Sequence, residues 1–186
     1  EHAPDEIAKL IGSLDAVPER SHLRSAYALG KAQRLIAELR AAGYDAPIYL
    51  HSAHERLCRL YQDWGVNLGV LHRAEHASQD DLRGSIILAP PSSSRGGWAD
   101  TLTDPLPCAA SGWMRVRKRA QQSGAELPLV ISDHADWPDL QRTIMDTGAE
   151  EIWVTHGRED ALVYFCETQG LRGRALALIG REGEGE

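Results

Sequence analysis

One phenylalanine and two methionines stand among 186 residues, and the three cysteines, Cys58, Cys108 and Cys166, lie far apart with no C-x-x-C pair. That spacing excludes a disulfide scaffold and a thiolate zinc site, and it points to reduced, buried thiols in a cytoplasmic protein. No apolar run approaches the roughly 20 residues of a membrane-spanning helix, and no signal peptide is visible. H-x-H-x-D-H, H-E-x-x-H, G-x-S-x-G and the Walker loop are all missing. A histidine pair alone completes neither a tetrahedral zinc site nor a two-metal clamp. Positive charge is in the minority, with 20 Lys and Arg against 27 Asp and Glu and a net charge of −7. This excludes a generally basic nucleic-acid coat while leaving room for local cation clusters. Residue 1 is Glu rather than Met, so we expect a chain that starts partway into a longer protein.

What is present is a repeated rhythm of strand and helix. Ile7, Leu10 and Ile11 predict a first amphipathic helix that closes at Gly12-Ser13. A strand over 23–28 is weakened by His22 and Arg24, and it is expected to belong to the edge where the domain is truncated. Gly30 then opens a strong helix over 31–42, with Leu35, Ile36 and Leu39 on one face and Gly43 as the stop. Residues 48–50 predict a strand, about 53–64 a helix, and 85–89 a buried strand that runs into the loop Pro90-Pro91-Ser92-Ser93-Ser94-Arg95-Gly96-Gly97. A short strand over 108–110 leads through Ser111-Gly112 to a basic helix over 113–119. Strands over 129–131 and 152–154 flank a helix capped by Asp136, started by Pro138 and stopped by Gly148. That reads as one β-α-β unit with its strands paired in parallel. A helix over 160–168 and a strand over 174–179 complete the pattern. The rhythm predicts an α/β fold, with a mostly parallel, doubly wound sheet and helices on both faces. The soft stretch 121–126 marks the division between two lobes.

Such sheets bind ligands beyond the carboxyl ends of their strands, so candidate residues are sought there. His134, in Ser132-Asp133-His134-Ala135-Asp136, and His156, in Thr155-His156-Gly157, each follow a strand of the β-α-β unit. Gly30-Lys31 starts a helix after a strand, where amides, helix dipole and the Lys31 ammonium can hold a phosphate. Arg115, Arg117, Lys118 and Arg119 form the densest basic cluster, beside Trp113, which can stack on a base. His51 and His54, with Glu55, share a helix face but are too few for a metal site. A solvated charged face and hydrogen-bonded loop histidines are the alternative readings.

Six segments together carry a family resemblance. They are Tyr27-Ala28-Leu29-Gly30-Lys31-Ala32-Gln33-Arg34, Pro47-Ile48-Tyr49-Leu50-His51, Leu88-Ala89-Pro90-Pro91-Ser92, Ala110-Ser111-Gly112-Trp113-Met114-Arg115-Val116-Arg117, Ser132-Asp133-His134-Ala135-Asp136-Trp137 and Val154-Thr155-His156-Gly157. In this order, from about residue 20 onward, the chain resembles the β-CASP branch of the metallo-β-lactamase superfamily. Within it the nearest likeness is to the bacterial ligase-associated DNA exonucleases, relatives of the mRNA 3′-end processing nucleases.

The resemblance implies a phosphodiesterase that uses two metal ions, usually zinc with manganese as an alternative, to activate water and clamp the scissile phosphate. It places His134, with Asp133 beside it, at the catalytic position next to that phosphate, and His156 at a metal-ligand position. The family's upstream ligands, H-x-H-x-D-H among them, are not in this sequence. We therefore expect a β-CASP-like nucleic-acid-binding domain over 1–125, incomplete at its start, and the closing segment of a metallo-β-lactamase domain over 126–186. The expected function is the carboxyl-terminal part of a DNA exonuclease, with this chain inactive alone. Gly30, Lys31, Arg34, Ser111 and Arg115 are the expected grip on the strand, by their position at strand ends. The expected partners are single-stranded or end-exposed DNA, or RNA, and a DNA ligase, with no membrane. The alternatives are a catalytically silent nucleic-acid-binding or scaffolding module, and an RNA 3′-end processing nuclease.

Overall fold

Short apolar runs bounded by turn residues become strands, and the longer amphipathic stretches between them become helices that cover the sheet. The computed structural model describes residues 3–94, 97–155 and 159–176. The chain divides into two compact units, 1–133 and 134–186.

The first unit contains α1 (Ala3–Ala16), β1 (His22–Ser25), α2 (Lys31–Ala41), β2 (Ile48–Leu50), α3 (Ser52–Asp63) and β3 (Leu71–Arg73). There follow α4 (Gln79–Leu82), β4 (Ile86–Ala89), β5 (Leu106–Ala110), α5 (Arg117–Gln122) and β6 (Leu127–Leu129). The strands form a six-stranded sheet in the order β3-β2-β4-β1-β5-β6, with every pairing parallel. This is the expected α/β class.

One face packs Ile48, Leu50, Ile86, Leu88 and Cys108 against Ile7 and Leu10 of α1, Leu35, Ile36 and Leu39 of α2, and Cys58 of α3. The other face packs Leu23, Tyr49, Ile87 and Ala89 against Ala74, Leu82 and Leu102, with Trp98 alongside. Parallel strands are covered on both faces. All four residues of β4 are accordingly fully buried.

Three expectations are corrected by this topology. The strand weakened by His22 and Arg24 is central, between β4 and β5, rather than at an edge. Its polar residues are accommodated singly: the His22 Nε2 lies 2.8 Å from the Ser13 hydroxyl, and Arg24 lies buried near Glu6 of α1. The strand expected over 129–131 is β6, Leu127–Leu129, and it pairs with β5, whereas the strand Glu151–Val154 pairs with Arg172–Ala175 in a separate sheet. β6 ends early because the Val130 amide donates to the Glu6 carboxylate (2.9 Å) instead of continuing the ladder. Pro128 fits there because β6 is an edge strand. Finally, the soft stretch 121–126 is no boundary between lobes. The Glu126 amide bonds the Pro107 carbonyl (2.9 Å), and both residues lie inside the first unit.

The second unit contains α6 (Trp137–Asp146), β7 (Glu151–Val154), α7 (Glu159–Thr168) and β8 (Arg172–Ala175). The Asp136 carboxylate caps α6 by accepting from the Asp139 amide (3.0 Å). β7 and β8 form a two-stranded parallel sheet. α7 lies so close to β8 that a Cβ on Gly173 would meet Cys166 Cβ at 2.9 Å and the Val163 backbone at 3.0 Å.

Candidate functional site

The connection leaving β1 runs to β2 on one side, and the connection leaving β5 runs to β6 on the other. Loops diverging from adjacent parallel strands leave a crevice at the carboxyl edge between them. A cleft of about 270 Å³ opens at that place. Leu23, Ser25, Ala26 and Tyr27 line it from β1, and Pro107, Ala109, Ala110 and Ser111 from β5. Pro91 and Ser94 close it from the loop after β4, and Met114, Ser123 and Ala125 from the segment around α5.

Lys31 is the lining cation, and it is already engaged. Its side chain is 10% exposed, its ammonium lies 3.0 Å from the Asp133 carboxylate, and it donates to the Ala110 carbonyl at 3.3 Å. Arg34, one residue outside the wall, donates to the Ser132 carbonyl and faces Glu38 at 3.7 Å. α2 thus clamps the end of β5 to the chain following β6. The amides expected to cradle a phosphate at Gly30-Lys31 are also committed. Gly30 N–H donates to the Gln33 side chain (2.8 Å), Lys31 N–H to the Leu29 carbonyl (3.1 Å) and Ala32 N–H to the Tyr27 carbonyl (3.2 Å).

The loop 26–30 is fixed from beneath. Gln33 donates to the Ala28 carbonyl (2.9 Å), and His54, fully buried, has its Nε2 3.1 Å from the Ala26 carbonyl. Burial holds the His54 pKa below its ordinary value, so the ring is neutral and Nε2 carries the donated proton. His51 does different work: its Nδ1 accepts from the Ala53 amide (3.1 Å) as the N-cap of α3. Its ring meets Trp98 edge-on, 4.9 Å between centroids.

Ser111 caps the 3-10 turn Gly112–Arg115, its hydroxyl accepting from the Trp113 amide (3.2 Å). The expected basic helix over 113–119 is therefore broken at Val116, with α5 starting at Arg117. Arg115, Arg117, Lys118 and Arg119 are all exposed, and none has an acidic partner among the described residues. Arg119 lies over the Trp113 ring, 5.2 Å from its centroid.

Of the residues nominated from the sequence, Gly30, Lys31, Arg34, Ser111 and Asp133 gather in one neighbourhood, and Arg115 borders it. His134 is an exposed residue at the start of the second unit, and His156 lies outside the described residues. Zinc is implied by the resemblance, yet among the described residues no three His, Cys, Asp or Glu side chains converge on a metal position. The Asp133 carboxylate serves Lys31. The described residues therefore do not fit a two-metal centre. No described helix is long and apolar enough to cross a membrane. Ser25 and Tyr27 escaped the sequence reading, although an aromatic residue directly after a strand at a crevice is a readable signal.

No family model matches the chain. It is similar to a protein named probable DNA ligase from Opitutus terrae (strain DSM 11246 / JCM 15787 / PB90-1), at 24% identity over 158 residues. That alignment takes in 85% of this chain and 15% of that protein.

Proposed function

We propose that this chain is the nucleic-acid-holding part of a metal-dependent DNA exonuclease. One observation carries the reading. In a chain of net charge −7, Arg115, Arg117, Lys118 and Arg119 stand exposed and unpaired by acids among the described residues, in the segment between Met114 and Ser123, two residues that line the crevice where doubly wound sheets bind ligands. Unneutralised cations beside an exposed aromatic are the electrostatic requirement for holding a phosphate backbone. The similarity to a probable DNA ligase favours DNA over RNA as the polymer. A DNA ligase is also the partner that the exonuclease reading would supply. In this reading His134, with Asp133 beside it, would act at the scissile phosphate, and His156 would be one ligand of a metal that the described residues do not hold by themselves.

The test is fluorescence anisotropy of a labelled single-stranded DNA with the 186-residue chain, followed by a cleavage assay with zinc or manganese added. Binding that weakens with salt, and no cleavage, is expected. An absence of DNA binding sinks the proposal, and tighter binding of RNA replaces DNA as the substrate. Cleavage abolished by His134→Ala would mean that a metal site closes within this chain.

A further inference from the structure

We propose that the cleft between β1 and β5 takes the base and sugar of one unpaired nucleotide, while the adjoining phosphates run along Arg115, Arg117, Lys118 and Arg119. This rests on the nucleic-acid reading above and assigns the work within that site. The cleft is close to electrically neutral: its one lining cation, Lys31, is paired with Asp133 at 3.0 Å, and its other polar side chains are hydroxyls and the Cys108 thiol. A phosphate would gain little from such walls, whereas a base edge or a sugar hydroxyl finds matched donors and acceptors.

Most of those hydroxyls serve the fold. Ser94 donates to the Pro91 carbonyl (3.3 Å), Ser123 to the Ala120 carbonyl (2.6 Å), and Ser111 caps its turn. The hydroxyls of Ser25 and Tyr27 make no hydrogen bond to any described residue. At about 270 Å³ the cleft lies near the roughly 300 Å³ lower end of small-molecule sites. That is room for one nucleoside and too little for a base pair.

The cations lie outside the cleft, in a segment that joins two of its lining residues. Met114 and Ser123 line the cleft on either side of the sequence that holds Arg115, Arg117, Lys118 and Arg119. Tyr27, which lines the cleft, and Trp113, next in sequence to the lining Met114, are each 64% exposed and offer faces on which neighbouring bases stack. A duplex presents the phosphates but keeps its bases inside, so the cation run alone would engage it.

The experiment compares three labelled oligonucleotides of equal length on the 186-residue chain: single-stranded thymidylate, an abasic single strand, and a blunt duplex. Thymidylate is expected to bind about tenfold or more tightly than either of the others, the scale of one stacked and pocketed base. Ser25→Leu, which fills the cleft, should remove that preference and leave duplex binding as it was. Tyr27→Ala, at an exposed position, should lower thymidylate affinity several-fold and serves if Ser25→Leu misfolds. The double variant Arg117→Glu, Lys118→Glu should weaken all three ligands, and it should flatten the thymidylate log–log salt slope by at least about 1.4. Equal affinity for thymidylate and the abasic strand, or a preference untouched by both cleft variants, overturns the assignment and leaves the nucleic-acid reading standing. Failure of all three oligonucleotides to bind overturns both.

Discussion

At the scale of single residues, the centre of the sheet holds charge where an apolar core is expected. Arg24 is 1% exposed, and all three guanidinium nitrogens lack a hydrogen-bond partner among the described residues. Burial pulls its pKa down to about 10, against the opposing pull of Cys108 and Glu6. A buried ion without direct partners costs more than it returns, and apolar replacements of similar volume are often neutral or stabilising by about 1–4 kcal/mol. Arg24→Met should therefore unfold at an equal or higher temperature, and a marked fall in Tm would show that the guanidinium has partners that matter. Glu6→Ala should cost about 1 kcal/mol or more, because the half-buried Val130 amide is left unpaired.

Histidine titration gives a second test at this scale. Burial holds the pKa values of His22 and His54 below the ordinary value. An unfolded histidine titrates near about 6.5. Below that pH the unfolded chain gains protons that the folded chain refuses, so stability is complete above about pH 6.5 and declines as pH falls toward the folded values. Urea midpoints between pH 7.5 and 5.5 should show this fall, and His54→Gln should shallow it. An unchanged slope in that variant would remove His54 from the account.

Among elements, the loop 26–30 and α2 act together. Gln33 ties the loop to the helix through the Gly30 amide and the Ala28 carbonyl, and Gly30 has a φ of +81°. A Cβ on Gly30 would meet nothing within 4 Å, so Gly30→Ala costs only the strain of a sparsely populated backbone region, about 1–3 kcal/mol. Gln33→Leu should cost about 1–3 kcal/mol by stranding both backbone groups. Denaturant unfolding checks both, and a cost-free Gly30→Ala would mean that the loop relaxes out of this conformation. Much of this level is legible in the sequence: α2 opens at Lys31 and β2 spans Ile48–Leu50, because apolar period and glycine punctuation agree there. The central place of β1 is not, because His22 and Arg24 look like surface residues, and only tertiary contacts show how they are buried. The end of β6 is hidden too, because it is set by a side chain of α1, Glu6, 124 residues distant in sequence. The cation run is visible as composition. Its place beside the crevice follows from β5 lying next to β1, and no local pattern encodes that adjacency.

For the whole molecule, the two compact units differ in what they can support alone. Every residue of both apolar clusters lies between Ile7 and Ile131, and so does every strand of the six-stranded sheet. The second unit brings a two-stranded parallel sheet, a size that is marginal by itself in water. Residues 1–133 should therefore fold alone and unfold cooperatively in urea. They should also keep the single-strand binding of the full chain, since Ser25, Tyr27, Lys31, Asp133 and the cations at 115–119 are all retained. Residues 134–186 should show no cooperative transition on their own. Circular dichroism and urea titration of the two pieces decide the matter. If 1–133 folds yet no longer binds single-stranded DNA, residues beyond 133 contribute to the grip, and His134 and its neighbours become the first to substitute. If 1–133 does not fold, the sheet depends on the second unit, and the division at Asp133 is one of shape rather than of stability.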